Sequence, residues 1–274
     1  MVRWVALTPL LLTSAVAAAQ SPAPRGPIQD NSFLLEEAYN QEAGVVQHIS
    51  VLTRRAGGGW TYTFTQEWPL HGTRHQGSYT LPLENPGGPG GSSGIGDVAL
   101  HYRYQWVGGS DARLAVAPRL SLLLATGSAR NSRGAGGPGL QVGIPVSVAL
   151  SQRWVAHTNL GATHVWAAED TAGAEAGTTS VSAGQSLVWL AHPSMNLLLE
   201  VVWSRDEEVT GMRRTVASNA LVVSPGVRFA IDVGSGLQVV PGLAVPLGLG
   251  PSSGERSLLL YLSFEHAFRR TSRE

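Results

Sequence analysis

The chain has 274 residues, with 19 basic and 19 acidic side chains, 33 glycines and no cysteine. Balanced charge argues against nucleic-acid binding, which shows as a basic excess or stripe, and without cysteine a secreted chain cannot lean on disulfides. Charged residues make up only 14% of the chain, short of the quarter usual for a protein surrounded by water, so another medium is expected to cover part of it.

In chain order, "MVRWVALTPLLLTSAVAAAQ" carries Arg3, an apolar run over residues 4 to 16, and small residues at Ala17 and Ala19. This is the pattern of a cleavable secretory signal peptide over residues 1–19; the run falls short of the ~20 residues that span a bilayer as a helix. A Pro-rich leader, "QSPAPRGPIQ", covers 20–29. "DNSFLLEEAYNQE", residues 30–42, has helical character, with Asp30, Asn31 and Ser32 as caps ahead of Phe33, Leu34 and Leu35.

From residue 43 to 268 the pattern switches to period two. "WTYTFTQEW" sets Trp60, Tyr62, Phe64 and Trp68 against Thr61, Thr63, Thr65 and Glu67, and "DVALHYRYQW" sets Leu100, Tyr102, Tyr104 and Trp106 against Asp97, His101 and Arg103. The same division runs through "RLAVAPRLSLLL", "LQVGIPVSVAL", "MNLLLEVVW" and the last strand, "LLLYLSFEHAF". With weaker candidates at 44–52, 75–83, 153–167, 178–191, 214–231 and 236–248, twelve strands result. An even number suits a closed up-and-down membrane barrel. The links "HGTR", "VGGSD", "SQ", "AHPS" and "DVGSG" are short, whereas "ENPGGPGGSS", "GSARNSRGAGGP", "AEDTAGAEAG" and "SRDEEVTGMRR" are longer and fall on the opposite rim. That asymmetry is expected of outer-membrane barrels.

Alternation alone does not say which face is outside. Aromatics near strand ends (Trp60, Trp68, Trp106, Trp154, Trp166, Trp203, Phe268) resemble interfacial girdles, which puts the apolar face towards lipid. The expected fold is therefore all-β: a closed antiparallel transmembrane β-barrel of about twelve strands, followed by a periplasmic tail at 269–274. The polar face then lines the bore, and its ionisable members Glu67, Asp97, His101, Arg103, Arg113, Arg119, His157, Glu200, Arg228 and Glu265 are the candidate substrate path. Residues 30–42 either fold into the bore as a plug, with Glu36, Glu37, Tyr39 and Glu42 as contacts for Arg103, Arg119 or Arg228, or stay outside as a periplasmic tail.

The segments "DNSFLLEEAYNQEAGVVQHI", "TQEWPL", "HQGSYTLPL", "GIGDVALHYRYQW", "APRLSLLLATG", "SPGVRFAI", "VPGLAVPLGLGPSSGE" and "LYLSFEH" together resemble the bacterial outer-membrane barrels grouped under the MetA pathway of phenol degradation. The resemblance spans most of residues 30 to 268. It implies an outer-membrane location and passage of small aromatic or apolar molecules, with no catalytic residues. The partners expected are outer-membrane lipids, the barrel assembly machinery and a small solute.

Rival chemistries are weaker. The glycine-rich "GGPGGSSGIG" and "GAGGPG" lack the Lys-Ser/Thr of a phosphate loop. His71 with His75, and Glu265 with His266, do not make the three or four converging ligands of a metal site, and no cofactor is expected. His48 and Ser50 share a face of the first strand, where a base could activate a hydroxyl for lipid hydrolysis; the plainer reading is two polar residues lining the bore. A third alternative is a barrel that binds or scaffolds without transporting. In the last strand, Tyr261, Phe264 and Phe268 form an aromatic pattern resembling the signal read by the assembly machinery.

Overall fold

A computed structural model describes residues 28–88, 91–233 and 237–267. The expected signal peptide, most of the expected leader, Phe268 and the expected tail lie outside the described residues. Twelve staves follow one another: β1 Val45–Arg55, β2 Trp60–His71, β3 His75–Asn85, β4 Val98–Tyr104, β5 Arg119–Leu124, β6 Gly139–Ser151, β7 Trp154–Glu169, β8 Glu175–His192, β9 Met195–Gly211, β10 Arg214–Phe229, β11 Leu237–Ala244 and β12 Ser257–Ala267. Each pairs antiparallel with its neighbours, and β12 meets β1 from Val45↔Ala267 to Arg55↔Ser257. The sheet therefore closes and leaves no unpaired edge between its first and last strands.

The staves sit where alternation predicts them, with local differences. The strand expected over 113–124 is two pieces of one stave: Leu114–Val116 and β5 both pair with β6, and Pro118, which has no N–H, marks the break. The seam between β10 and β11 is the thinnest. It pairs directly only at Gly226↔Ala244, Val227↔Leu243 and Arg228↔Gly242, then continues through Val245 N donating to Pro225 O at 3.0 Å and a two-residue piece, Leu247–Gly248. Two expected long loops are instead drawn into strands. β9 and β10 pair up to Gly211↔Arg214, and β7 and β8 up to Glu169↔Glu175, so both hairpins extend the wall and turn tightly.

The two faces divide as their polarity predicts. Ile144 is 48% exposed and Leu160 56%, whereas Ser147 on the same stave as Ile144 is 1% exposed and Glu200 is 0%. Leu120, Leu122, Leu197, Leu199, Leu258, Leu260 and Leu262 are likewise exposed, and Ser121, Asn196, Ser224 and Ser263 are buried. A sheet whose apolar side chains face out and whose polar ones are enclosed is a barrel built for a lipid exterior. Trp154 and Trp189 are paired across β7 and β8 and stack at 5.9 Å near the short-turn rim, extending the aromatic girdle by a residue that the strand-end pattern had not included.

Candidate site in the barrel lumen

Residues 28–44 run through the interior with bends and no helix, which corrects the expectation of a helical segment at 30–42. The cause is competition for backbone groups. A helix would bond these amides to one another, but the wall side chains take them first. Glu200 Oε1 accepts the N–H groups of Phe33, Leu34 and Leu35 at 3.2, 2.8 and 3.0 Å, so three successive amides curl round one carboxylate oxygen.

The remaining peptide groups find partners all round the barrel. Asn196 donates to Gln29 O at 2.8 Å, and Arg228 donates to Gln29 O at 3.1 Å and Asn31 O at 2.7 Å. Asn159 holds Glu36 by both ends of one amide, accepting from its N–H at 2.9 Å and donating to its carbonyl at 2.8 Å. Gln105 donates to Ala38 O at 2.8 Å and accepts from Asn40 N at 3.0 Å. Gln76 accepts from Gln41 N at 2.7 Å. Arg103 donates to Glu37 O at 3.2 Å, to Asn40 Oδ1 at 3.1 Å and to Tyr39 O. His157 forms a relay: its Nε2–H donates to Asp30 O at 3.0 Å, and its Nδ1 meets the Ser147 hydroxyl at 2.8 Å, whose oxygen accepts Ala38 N–H at 2.8 Å.

Charge and shape reinforce this grip. Arg119 bonds Glu36 Oε1 and reaches Gln141 at 2.6 Å, while Arg103 stands 3.9, 4.0 and 3.8 Å from Glu36, Glu37 and Glu67. Burial pushes the Asp30 carboxyl and the Tyr39 phenol above their ordinary ranges, and Tyr39 donates to Asp30 Oδ2 at 3.2 Å. Three glycines make room for the segment's apolar side chains. A Cβ at Gly226 or Gly242 would lie 2.6 Å from the Phe33 ring, and one at Gly184 would lie 2.5 Å from Leu35 Cδ2. Phe33 also packs on Tyr261 at 5.3 Å, and the Arg228 guanidinium lies over that tyrosine ring at 5.0 Å.

On the short-turn side of the segment lies a cavity of about 690 Å³, lined by Asp30, Glu37, Tyr39, Glu42, Asp111 and Glu265 among polar groups, with Ile28, Val45, Val155 and Leu190 as apolar wall. At the opposite rim the connection 125–138 is tied down by inward carboxylates. Asp97 accepts Gly127 N at 2.9 Å and Ala135 N at 2.6 Å, and Glu84 accepts Gly134 N at 3.1 Å. The same connection reaches β7, where Glu169 N donates to Ala135 O at 2.8 Å.

The residues singled out by sequence thus have different fates. Glu67, Arg103, Arg119, His157, Glu200 and Arg228 gather round the segment, as do Glu36, Glu37 and Tyr39 from the segment itself. Asp97 anchors a rim loop, and His101 is bridged between Thr80 at 3.0 Å and Ser121 at 2.8 Å. Glu42 and Glu265 line the cavity, and Arg113 is exposed at the short-turn rim. The neutral residues that do most of the gripping, Gln76, Gln105, Ser147, Asn159 and Asn196, and the glycines under Phe33 and Leu35, carried no signal beyond facing inward. His48 and Ser50 point outward, not into the bore. His48 Nε2 meets His266 Nε2 at 3.1 Å, and Ser50 Oγ meets Tyr62 OH at 3.1 Å, so neither is the other's partner.

A family model described as "Putative MetA-pathway of phenol degradation" matches residues 25–246. The chain belongs to this family. Among solved structures, an outer membrane channel from Pseudomonas putida F1 is similar at a TM-score of 0.62 with 13% identity, covering 86% of this chain and 100% of that one. The NanC porin is similar at 0.55 with 10% identity, covering 79% and 98%. At these identities the likeness is one of fold, and that fold is the porin-like outer-membrane barrel. No curated protein sequence matches the chain.

Proposed function

We propose that this family member is an outer-membrane channel for small molecules, with residues 28–42 acting as its plug. The observation that carries the reading is the main-chain grip: side chains from β3 round to β10 hold one segment between Gln29 and Gln41 inside the bore. Such a contact belongs to a closed state of a passage rather than to a loose tail. The family's link with phenol degradation supports a solute with an aromatic or apolar body. So does a cavity of about 690 Å³ that mixes carboxylates with Ile28, Val45 and Leu190, within the range of ordinary small-molecule sites. The apolar outer face contacts lipid, and β12, with Phe264, is the strand presented to the assembly machinery.

Liposome swelling tests this, comparing the mature chain with one lacking residues 20–42, using small sugars and phenolic solutes. Faster entry of phenolics in the truncated barrel supports a plugged channel. Equal and negligible entry in both overturns it in favour of a binding or structural barrel.

A further inference from the structure

The geometry points to the lumen wall being a receptor for non-helical, bent peptide main chain, with the resident segment as its tethered ligand. The ligand class is an oligopeptide carrying an aromatic residue, any residue, then leucine. The inference rests on the plug reading, since a site for free peptide exists only if the segment can be displaced.

Most of the wall's hydrogen bonds to the segment go to its backbone. Asn159 and Gln105 each use an amide N–H and an amide oxygen on peptide groups of the segment, and a side-chain amide matches a peptide group whatever residue it belongs to. Glu200 likewise accepts three backbone amides and no side chain of the segment. The apolar side chains are met at two places where the wall has been hollowed to glycine, under Phe33 at Gly226 and Gly242 and under Leu35 at Gly184, and polar side chains are met beside them, Ser32 by Ser186, Glu36 by Arg119 and Asn40 by Arg103. Leu34, between Phe33 and Leu35, is 37% exposed and meets no such hollow. A wall that reads backbone along the whole segment and side chains at a few positions, two of them glycine hollows, describes a peptide site of definite sequence preference. Tethering keeps the resident segment at an effective concentration of roughly millimolar, so a free peptide competes only once the tether is cut or the resident grip is weakened.

The test uses the full mature chain with a protease recognition sequence inserted at Ala43, an exposed turn residue between the segment and β1. After folding in detergent the tether is cut, and a fluorescein-labelled synthetic peptide of residues 28–42 is titrated in. The expected result is saturable exchange with the cut segment. A Phe33→Ala peptide should bind roughly tenfold or more weaker, a Leu34→Ala peptide within about twofold of the parent, and a peptide N-methylated at Leu34 and Leu35 should not compete. Absence of saturable binding to a cut barrel that keeps its folded electrophoretic mobility overturns the proposal, as does equal loss from Phe33→Ala and Leu34→Ala. If cutting raises conductance while no peptide binds, the plug stands and the peptide site falls; if the segment leaves and conductance is unchanged, the channel reading itself falls. Should the insertion prevent folding, the uncut Phe33→Ala chain takes its place. Its weakened segment should yield to labelled wild-type peptide, and failure to do so at millimolar peptide counts against the site.

Discussion

Glu200 is buried, and only one of its carboxylate oxygens is used by the segment. Glu200→Ala leaves three amides without their acceptor, at about 1–3 kcal/mol for each one that stays buried. Glu200→Gln keeps an acceptor in place and removes a buried charge, a change that is often neutral. The alanine variant should therefore expose residues 28–42 to protease while the glutamine variant protects them; equal protection in both would show that the nest does not hold the segment. Gly226→Ala meets the Phe33 ring at 2.6 Å from the new Cβ, so it should also loosen the segment, whereas in a Phe33→Ala background the same change should cost no further protection. Asp30 gives docking a pH dependence. Its carboxyl is raised by burial against the opposing influence of His157, with Glu37 also raising it and Tyr39 bonding it. A raised carboxyl means the docked state favours the protonated form, so this contribution is full below the ordinary value of about 3.9 and is lost as pH rises through the raised one. Hydrogen exchange at the Glu36 and Ala38 amides should accordingly speed up from about pH 4 towards neutrality more steeply in the wild type than in Asp30→Asn; identical profiles would remove Asp30 as the cause.

At the scale of elements, the strands were legible because lipid outside and polar groups inside impose a strict two-residue period on every stave. The "MNLLLEVVW" stretch shows this directly: Leu197, Leu199 and Val201 are exposed, and Asn196 and Glu200 are fully buried. What was not legible is how far strands continue past the apolar band. Arg205, Asp206, Glu207 and Glu208 looked like loop, yet they pair with Asn219, Ser218, Ala217 and Val216, because backbone pairing does not need apolar side chains. The N-terminal segment was misread for a related reason. Its caps and glutamates favour a helix locally, and nothing in its own residues reports that Glu200, more than 160 positions away, takes the amides first. The rim loop 125–138 makes its own prediction. Asp97→Ala removes acceptors for both Gly127 N and Ala135 N, so trypsin should cut at Arg130 or Arg133 faster in this variant than in the wild type, with the barrel's own mobility unchanged. Equal cleavage rates would mean that Glu84 and Glu169 suffice.

For the whole molecule, stability depends on which medium meets which face. Ile144, near the middle of β6 and exposed, should be intolerant of charge. Ile144→Arg is expected to cost about 2–4 kcal/mol on folding into vesicles if it lies near the bilayer midplane, read from the urea midpoint of refolding. A penalty near zero would place that stave outside the hydrocarbon. The segment's contacts also have a temporal meaning. Gln41 is 35 residues from its partner Gln76, Gln29 is 199 residues from Arg228, and Phe33 rests on Tyr261 in the final strand. Contacts so distant in sequence form late, and these span nearly the full ring. The first described residues of the chain therefore settle last, after the sheet has joined end to end. Their burial serves as a receipt that assembly is complete: a barrel stalled before its final strand cannot close over Phe33.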